Sequence, residues 1–434
     1  MAGELKSALL LSLLTFCFAE QAVNIKPQQI HVALGETIDK ISITWSTRNQ
    51  TDTSLVLFGI KDLTNSTQGT SQIFVDVTKT NVQYLHYVLL SGLVPGQKYN
   101  YVCGTKGALS DTFSFTTLKE GSNWSPRFVL YGDLGFINSQ SVPRLDNDIQ
   151  KGLYDVALHI GDFAYDMESF NGTMGDKFFN VIQPVAANLP YMTCPGNHEG
   201  NNNFTQYKNR LFMPGDEQGN RMYYSFNVGP VHVISFSTEF YFFIQYGITQ
   251  VPHMYKWLEN DLKVANLPEN RAKQPWIITM GHRPMYCSNN DTDDCTKHDS
   301  IIRLGVPILH LYGLEKLFYD YGVDLELWAH EHSYERLWPV YDRKVYNGSY
   351  DHPYTNPKAP VHIITGSAGC QENLDPFDKD PQYWSAKRVR DYGYTRMTVF
   401  NSTHLYTEQL SDDKGGMIMD KMWLIKDKHG PYTN

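Results

Sequence analysis

Arg127-Phe128-Val129-Leu130-Tyr131-Gly132-Asp133-Leu134-Gly135 joins an apolar run to a Gly-Asp turn, and the same pattern returns along the chain. Val156 to Ile160 leads into Gly161-Asp162-Phe163-Ala164-Tyr165-Asp166, Trp276 to Met280 into Gly281-His282-Arg283-Pro284, and Val323 to Trp328 into Ala329-His330-Glu331-His332. Gly196-Asn197-His198-Glu199 is a fifth segment of the same chemical kind. Short apolar runs read as buried strands, and a rigid strand that ends in a turning loop is the usual siting of function in an α/β sheet. The glycines before Asp133 and Asp162 let the backbone turn tightly.

Around these segments, strand-like runs alternate with helical patterns such as Met254, Trp257, Leu258 and Leu262, which implies an α/β domain. Tyr223 to Phe226 and Val231 to Ser237 flank the turn Asn227-Val228-Gly229-Pro230 and read as an antiparallel pair, so the sheet is expected to be mixed. Upstream the pattern differs. Gln29 to Leu34, Lys40 to Thr47, Ser54 to Ile60, Ile73 to Thr78, Gln83 to Leu90, Lys98 to Cys103 and Asp111 to Thr117 are short runs that predict an all-β sandwich. Ile41, Ile43 and Trp45 alternate with Ser42 and Thr44, the period of a half-buried strand. Leu93-Val94-Pro95-Gly96-Gln97-Lys98-Tyr99 resembles a turn of fibronectin type III domains. This region offers no cluster of metal ligands and reads as a packing or positioning module. The polar stretch Lys119 to Pro126 marks the boundary, giving domains at 20–119 and 120–434.

With 434 residues, two domains and a sizeable core are expected. Residues 1–19, a charged start followed by the apolar Ala8 to Phe18, read as a cleaved export signal too short to span a bilayer, which takes about 20 residues. No later segment is long enough to span. Export agrees with acceptor sites for N-glycosylation at Asn49, Asn65, Asn123, Asn171, Asn203, Asn290, Asn347 and Asn401. Signal removal takes Cys17 and leaves an odd number of cysteines, of which Cys287 and Cys295 flank a polar loop and are expected to pair. The remaining thiols, Cys103, Cys194 and Cys370, read as small buried hydrophobes. A net charge of −9 argues against a nucleic-acid surface, so affinity for phosphate has to be local.

A lone Asp after a strand is usually a cap, and a lone His there a satisfied core residue. The set reads differently: Asp133, Asp162, Asn197, His282, His330 and His332 all sit in strand-end loops, and one carboxylate can bridge two cations about 3.5–4 Å apart. In order and content the segments resemble the calcineurin-like metallophosphoesterases, with one departure. Gly135 stands where many relatives carry a ligand His, and Tyr165 follows Asp162 by three residues. This Asp-x-x-Tyr, with the block Ala329 to Arg336, is similar to the purple acid phosphatases in their long, two-domain form.

The resemblance implies an iron site of Asp133, Tyr165 and His332, a second metal site of Asn197, His282 and His330, and Asp162 as the bridge. A phenolate is a hard anionic donor that favours Fe(III), while the neutral Asn and two imidazoles suit Zn, Fe(II) or Mn. Three anionic ligands and one hydroxide against Fe(III) and a divalent ion leave about +1 by formal count, enough to dock a phosphate monoester. The expected reaction is in-line attack of a metal-bound hydroxide at acidic pH, giving an exported acid phosphatase for small phosphate esters, extracellular or in a lysosome-like compartment.

His198 is the expected proton donor to the leaving alcohol, and His298 a further substrate-facing histidine. Glu199, Tyr334 and Arg336 are expected to orient ligands. Gly366-Ser367-Ala368-Gly369 reads as a tight turn or a phosphate-approach loop. A phosphodiesterase or pyrophosphatase on the same centre, a redox role for the iron, and a non-catalytic metal- or phosphate-binding glycoprotein are the competing readings.

Overall fold

The computed structural model describes residues 24–215 and 221–432. The expected signal at 1–19 lies outside the described residues.

Two antiparallel sheets form the N-terminal sandwich. One has the order Gln28–Leu34, Ile41–Thr47, Val82–Leu90, Thr70–Val75. The other runs Asn65–Gln68, Leu55–Gly59, Lys98–Thr105, Ala108–Leu109, with Phe113–Thr116 also paired to Lys98–Thr105. Two of these strands escape the sequence pattern. Asn65–Gln68 is wholly polar and mostly exposed, so no alternation betrays it, and Ala108–Leu109 is only 2 residues long.

The alternation in Ile41–Thr47 predicts one buried face, but every residue of this strand is buried. The reason is that its polar side meets the second domain instead of water. Ser42 Oγ lies 3.4 Å from the Phe212 carbonyl, and next to it the Ile30 N–H donates to Gln183 Oε1 at 2.9 Å. At the centre of this interface Asp176, 3 % exposed, accepts from Arg210 Nη2 at 2.7 Å, Arg48 Nη2 at 2.8 Å, Asn81 Nδ2 at 2.9 Å and Gln83 Nε2 at 3.0 Å. Arg48, Asn81 and Gln83 come from the sandwich, so a buried charge network, not apolar contact alone, fixes the two units together.

The second unit holds two mixed sheets flanked by helices. The first has the order Tyr191–Cys194, Val156–Ile160, Arg127–Tyr131, Gly393–Val399, His404–Ser411, Met417–Ile425, parallel among the first three and antiparallel beyond. The second runs Tyr224–Val228, Val231–Ser235, Trp276–Met280, Leu325–Trp328, Val361–Thr365, Tyr334–Leu337, Ser385–Val389. The hairpin Tyr224–Val228/Val231–Ser235 supplies one antiparallel edge, as its turn residues imply. The helix Gln250–Ala265 buries Val251, Met254, Leu258, Leu262 and Ala265, one stripe at helical spacing, while Trp257 is half-buried against Tyr223.

The sheets meet closely at the ends of their central strands. The Gly132 N–H donates to the Thr365 carbonyl at 2.9 Å, and a Cβ on Gly132 would stand 2.4 Å from that of Ala329. Only glycine lets the end of Arg127–Tyr131 lie against the end of Leu325–Trp328. Gly366 to Gly369 is a buried turn that packs on this junction, its Gly366 N–H bonded to the Ser333 carbonyl and the Cys370 N–H to that of Asp133.

Candidate metal centre

All the strand-end donors converge where the two sheets touch. Asp133 and Asp162 leave Arg127–Tyr131 and Val156–Ile160, His282 leaves Trp276–Met280, and His330 and His332 follow Leu325–Trp328. Asn197 opens the short 3-10 turn Asn197–Glu199 after Tyr191–Cys194. Asp133, Asp162, Tyr165 and His330 have φ of 53°, 51°, 53° and 70°, the left-handed region that costs a non-glycine residue about 1–2 kcal/mol. Such strain persists where surroundings impose it.

The donors fall into two triads. Tyr165 Oη lies 2.8 Å from His332 Nε2, which lies 3.6 Å from Asp133 Oδ1. His282 Nε2 lies 3.1 Å from Asn197 Oδ1 and 3.2 Å from His330 Nδ1. Asp162 stands between the triads, with Oδ2 3.3 Å from His282 Nε2 and Oδ1 accepting the His198 N–H at 3.0 Å. The ligand atoms of Asp162, His282 and His330 all lie within 4.8 Å of one another.

A cation suits this arrangement. Asp133 Oδ1 is fully buried with no hydrogen-bond partner, a costly arrangement for a carboxylate oxygen unless a cation serves it. Burial and then Asp133 and Asp162 hold the Tyr165 phenol well above its ordinary range, and burial raises the Asp133 carboxyl as well. Burial opposes charge on His282, but Asp162 and Asp133 raise it to about 10. Anionic oxygens pressed together, beside the His282 imidazole drawn toward protonation, are the electrostatics that bound cations relieve.

Gly135 and Tyr165 occupy one space. Gly135 has φ +68°, and a Cβ there would lie 3.3 Å from Tyr165 Cδ2 and 3.5 Å from Cε2. A side chain at 135 would press on the Tyr165 ring, which would have to give by a few tenths of an ångström.

Each donor is held from behind. The His282 Nδ1–H donates to the Ile160 carbonyl at 2.9 Å and that of His332 to Asn373 at 3.0 Å, leaving both Nε2 atoms for the centre. Glu199 accepts from the N–H groups of Asp162, Phe163 and Gly196, as expected of an orienting residue. Tyr334 and Arg336 do not reach these side chains. Both bond Asp420, at 2.8 Å from Tyr334 Oη and 2.7 Å from Arg336 Nε, because alternation along their strand turns them to the opposite side.

An open pocket of about 360 Å³ overlies the centre, lined by Asp162, Asn197, His198, His330 and His332 together with the acids Asp291, Asp293, Glu331, Glu372 and Asp375. His198 faces it. Its Nδ1 lies 3.2 Å from Asp166 Oδ1, and its ring lies tilted against that of Tyr165, centroid to centroid 4.5 Å. Burial disfavours its charge, but Asp162 and the Asp166 hydrogen bond raise it to about 10.

His298 is not brought to the pocket. Its side chain is 78 % exposed and pairs with its neighbour Asp299, because the chain turns outward after the Cys287–Cys295 disulfide. The loop closed by that disulfide contributes Asp293 instead, which bonds His330 Nε2, while Arg283 Nη1 approaches the same atom at 2.8 Å. Asp293 lies in a run of polar loop residues, and nothing in that run distinguishes it from Asp291 or Asp294. The free thiols Cys103, Cys194 and Cys370 are buried, as expected.

This strand-end cluster on two mixed sheets defines a calcineurin-like phosphoesterase, the family that residues 126–334 match. Residues 27–117 match the purple acid phosphatase N-terminal domain, and residues 359–421 the iron/zinc purple acid phosphatase-like protein C domain. The chain is 54 % identical to acid phosphatase type 7 of Danio rerio, covering 95 % of this chain and 94 % of that one. It is 52 % identical to acid phosphatase type 7 of Homo sapiens, over 94 % and 93 %. The structure of a purple acid phosphatase from yellow lupin (Lupinus luteus) seeds superposes with a TM-score of 0.75 at 23 % identity, covering 93 % of this chain and 75 % of that one. The chain is an enzyme of the purple acid phosphatase family.

Proposed function

We propose that this chain is an exported acid phosphatase that hydrolyses small phosphate monoesters at a dinuclear centre of Fe(III) and one divalent metal. The observation that carries the reading is the pair of triads joined by Asp162, with the Tyr165 phenol in the space that Gly135 leaves open. Asp133, Tyr165 and His332 would hold the iron, Asn197, His282 and His330 the divalent ion (Zn, Fe or Mn), and Asp162 both. When bound, the cations supply Lewis acidity that acidifies water and offsets charge on the phosphoryl oxygens.

The protein's own contribution is placement and a proton. Raised to about 10, His198 carries its proton throughout the acidic range. Asp166 accepts from Nδ1, which leaves Nε2–H to face the pocket and to protonate the departing alkoxide oxygen. Bound cations would oppose that charge and lower the value, bringing the acid nearer the working pH. Arg283 and Asp293 fix the His330 ring, and the carbonyls of Ile160 and Asn373 fix His282 and His332.

Export is supported by the Cys287–Cys295 disulfide and by the acceptor asparagines, most of which are exposed or half-buried. Among the described residues no helix is long and apolar enough to cross a membrane. The reading divides the chain near residue 120, with residues 20–119 positioning the catalytic unit. Hydrolysis of a monoester and a diester should be compared across pH on the purified protein. Monoester turnover that is fastest below neutrality supports the proposal, and a preference for diesters would replace it.

A further inference from the structure

Glu331 lies between His330 and His332, and a carboxylate oxygen of it lies within 4.8 Å of a His330 ring nitrogen and of an Asp293 oxygen. It is 1 % exposed, and its Oε2 has no hydrogen-bond partner. Oε1 lies 3.0 Å from Cys295 Sγ, a disulfide sulfur with no proton to donate. A buried carboxylate in this condition is costly. Its neighbours make matters worse. Ligand oxygens of Asp291, Glu331 and Asp375 all lie within 4.8 Å of one another. Asp375 Oδ2 accepts the His332 N–H at 2.6 Å, and neither Asp291 nor Glu331 meets a Lys or Arg among the ion pairs of the described residues.

We propose that Asp291, Glu331 and Asp375 form a third cation site, beside the two triads and adjoining His330, that takes a hard divalent ion of the calcium class. Three oxygen donors of irregular geometry suit Ca²⁺, which accepts about 6–8 oxygens flexibly, better than Mg²⁺, which demands a near-ideal octahedron. Water and backbone carbonyls would complete the shell. Asp291 is exposed, and one edge of the site is therefore open, which places its affinity with weak extracellular sites at about 10⁻⁴–10⁻³ M.

The site has a consequence for substrate. All three residues line the rim of the pocket, together with Asp293 and Glu372. Asp293 pairs with Arg283 and bonds His330, whereas the Asp291, Glu331 and Asp375 group repels an incoming phosphate dianion. A divalent cation there reverses most of that field. The disulfide holds the Asp291 loop over Glu331 and so preforms the site.

This inference uses the phosphatase reading only for its kinetic arm. The binding arm is Ca²⁺ titration by calorimetry on the metal-loaded protein, with Asp291→Asn and Glu331→Gln as variants. Saturable binding of Ca²⁺ that Asp291→Asn weakens by about tenfold or more supports the site. No binding up to about 10 mM, an order of magnitude beyond the weakest such sites, overturns it, as does binding unchanged in Asp291→Asn. In the kinetic arm, Ca²⁺ should lower KM for an anionic monoester by about tenfold at low salt with kcat unchanged, an effect lost in Asp291→Asn and shrinking with salt. Binding without a KM effect would overturn the role in substrate approach. Absence of phosphatase activity, with binding intact, would count against the function and not against the site.

Discussion

Replacing Gly135 by Ala tests whether Tyr165 owns the space at this position. Two effects separate cleanly. At φ +68° an alanine bears left-handed strain of about 1–2 kcal/mol, partly offset by up to about 1 kcal/mol from the reduced freedom of its unfolded chain. Gly152 has φ +66° and only open space where an alanine methyl would stand, so Gly152→Ala feels that effect alone. At Gly135 the methyl also stands 3.3 Å from the Tyr165 ring, closer than comfortable carbon contact, and the ring must yield by a few tenths of an ångström. Tyr165 is itself in a strained backbone conformation, with Oη held against His332, so the shift moves the phenol oxygen relative to its triad. A misplacement of about 1 Å can cost about 100-fold in rate, so a fraction of that predicts about a tenfold loss of turnover. Thermal unfolding, metal content, visible absorption and monoester turnover should be compared for both variants. Gly135→Ala matching Gly152→Ala in absorption and turnover would refute the shared-space argument.

Asp176→Ala should destabilise the protein by about 3–5 kcal/mol in denaturant unfolding, since it strands Arg48 and Arg210 at the interface between the units. Burial would raise the Asp176 carboxyl, but Arg210, Asn81 and Arg48 lower it from 3.8 to about 2. A lowered folded value stabilises above the unfolded one, so about 2 kcal/mol is present above pH ~4 and is lost as pH falls through about 2. His198→Ala should cut turnover by about 100-fold or more with metal content unchanged, and unaltered turnover would remove it as the acid. Asp293→Ala should leave Tyr165-dependent absorption intact while loosening His330 and lowering occupancy of the divalent metal, as read by metal analysis; equal loss of both metals would contradict the division into triads.

Strand ends were the most legible part of this chain. Arg127–Tyr131, Val156–Ile160, Trp276–Met280 and Val361–Thr365 begin and end where their apolar runs do, because strands buried on both faces are mostly apolar. What alternation cannot report is what lies opposite a polar face. Ser42 and Thr44 look solvent-facing in sequence, yet both are buried, Ser42 against the Phe212 carbonyl of the second unit. His298 fails for a related reason: a polar loop carries no period, so its direction after Cys295 depends on the disulfide and on Asp294, which bonds Ser300. Asp293 and Glu331 were hidden in the same way, one among equivalent loop acids and the other between two histidines that drew the reading to themselves.

The central claim, an Fe(III) site built on Tyr165, is tested most directly by metal analysis and visible absorption of the purified protein beside its Tyr165→Phe variant. The account predicts iron together with a second, divalent metal, and a phenolate-to-iron charge-transfer band that Tyr165→Phe abolishes. A colourless, iron-free protein that hydrolyses monoesters would contradict it.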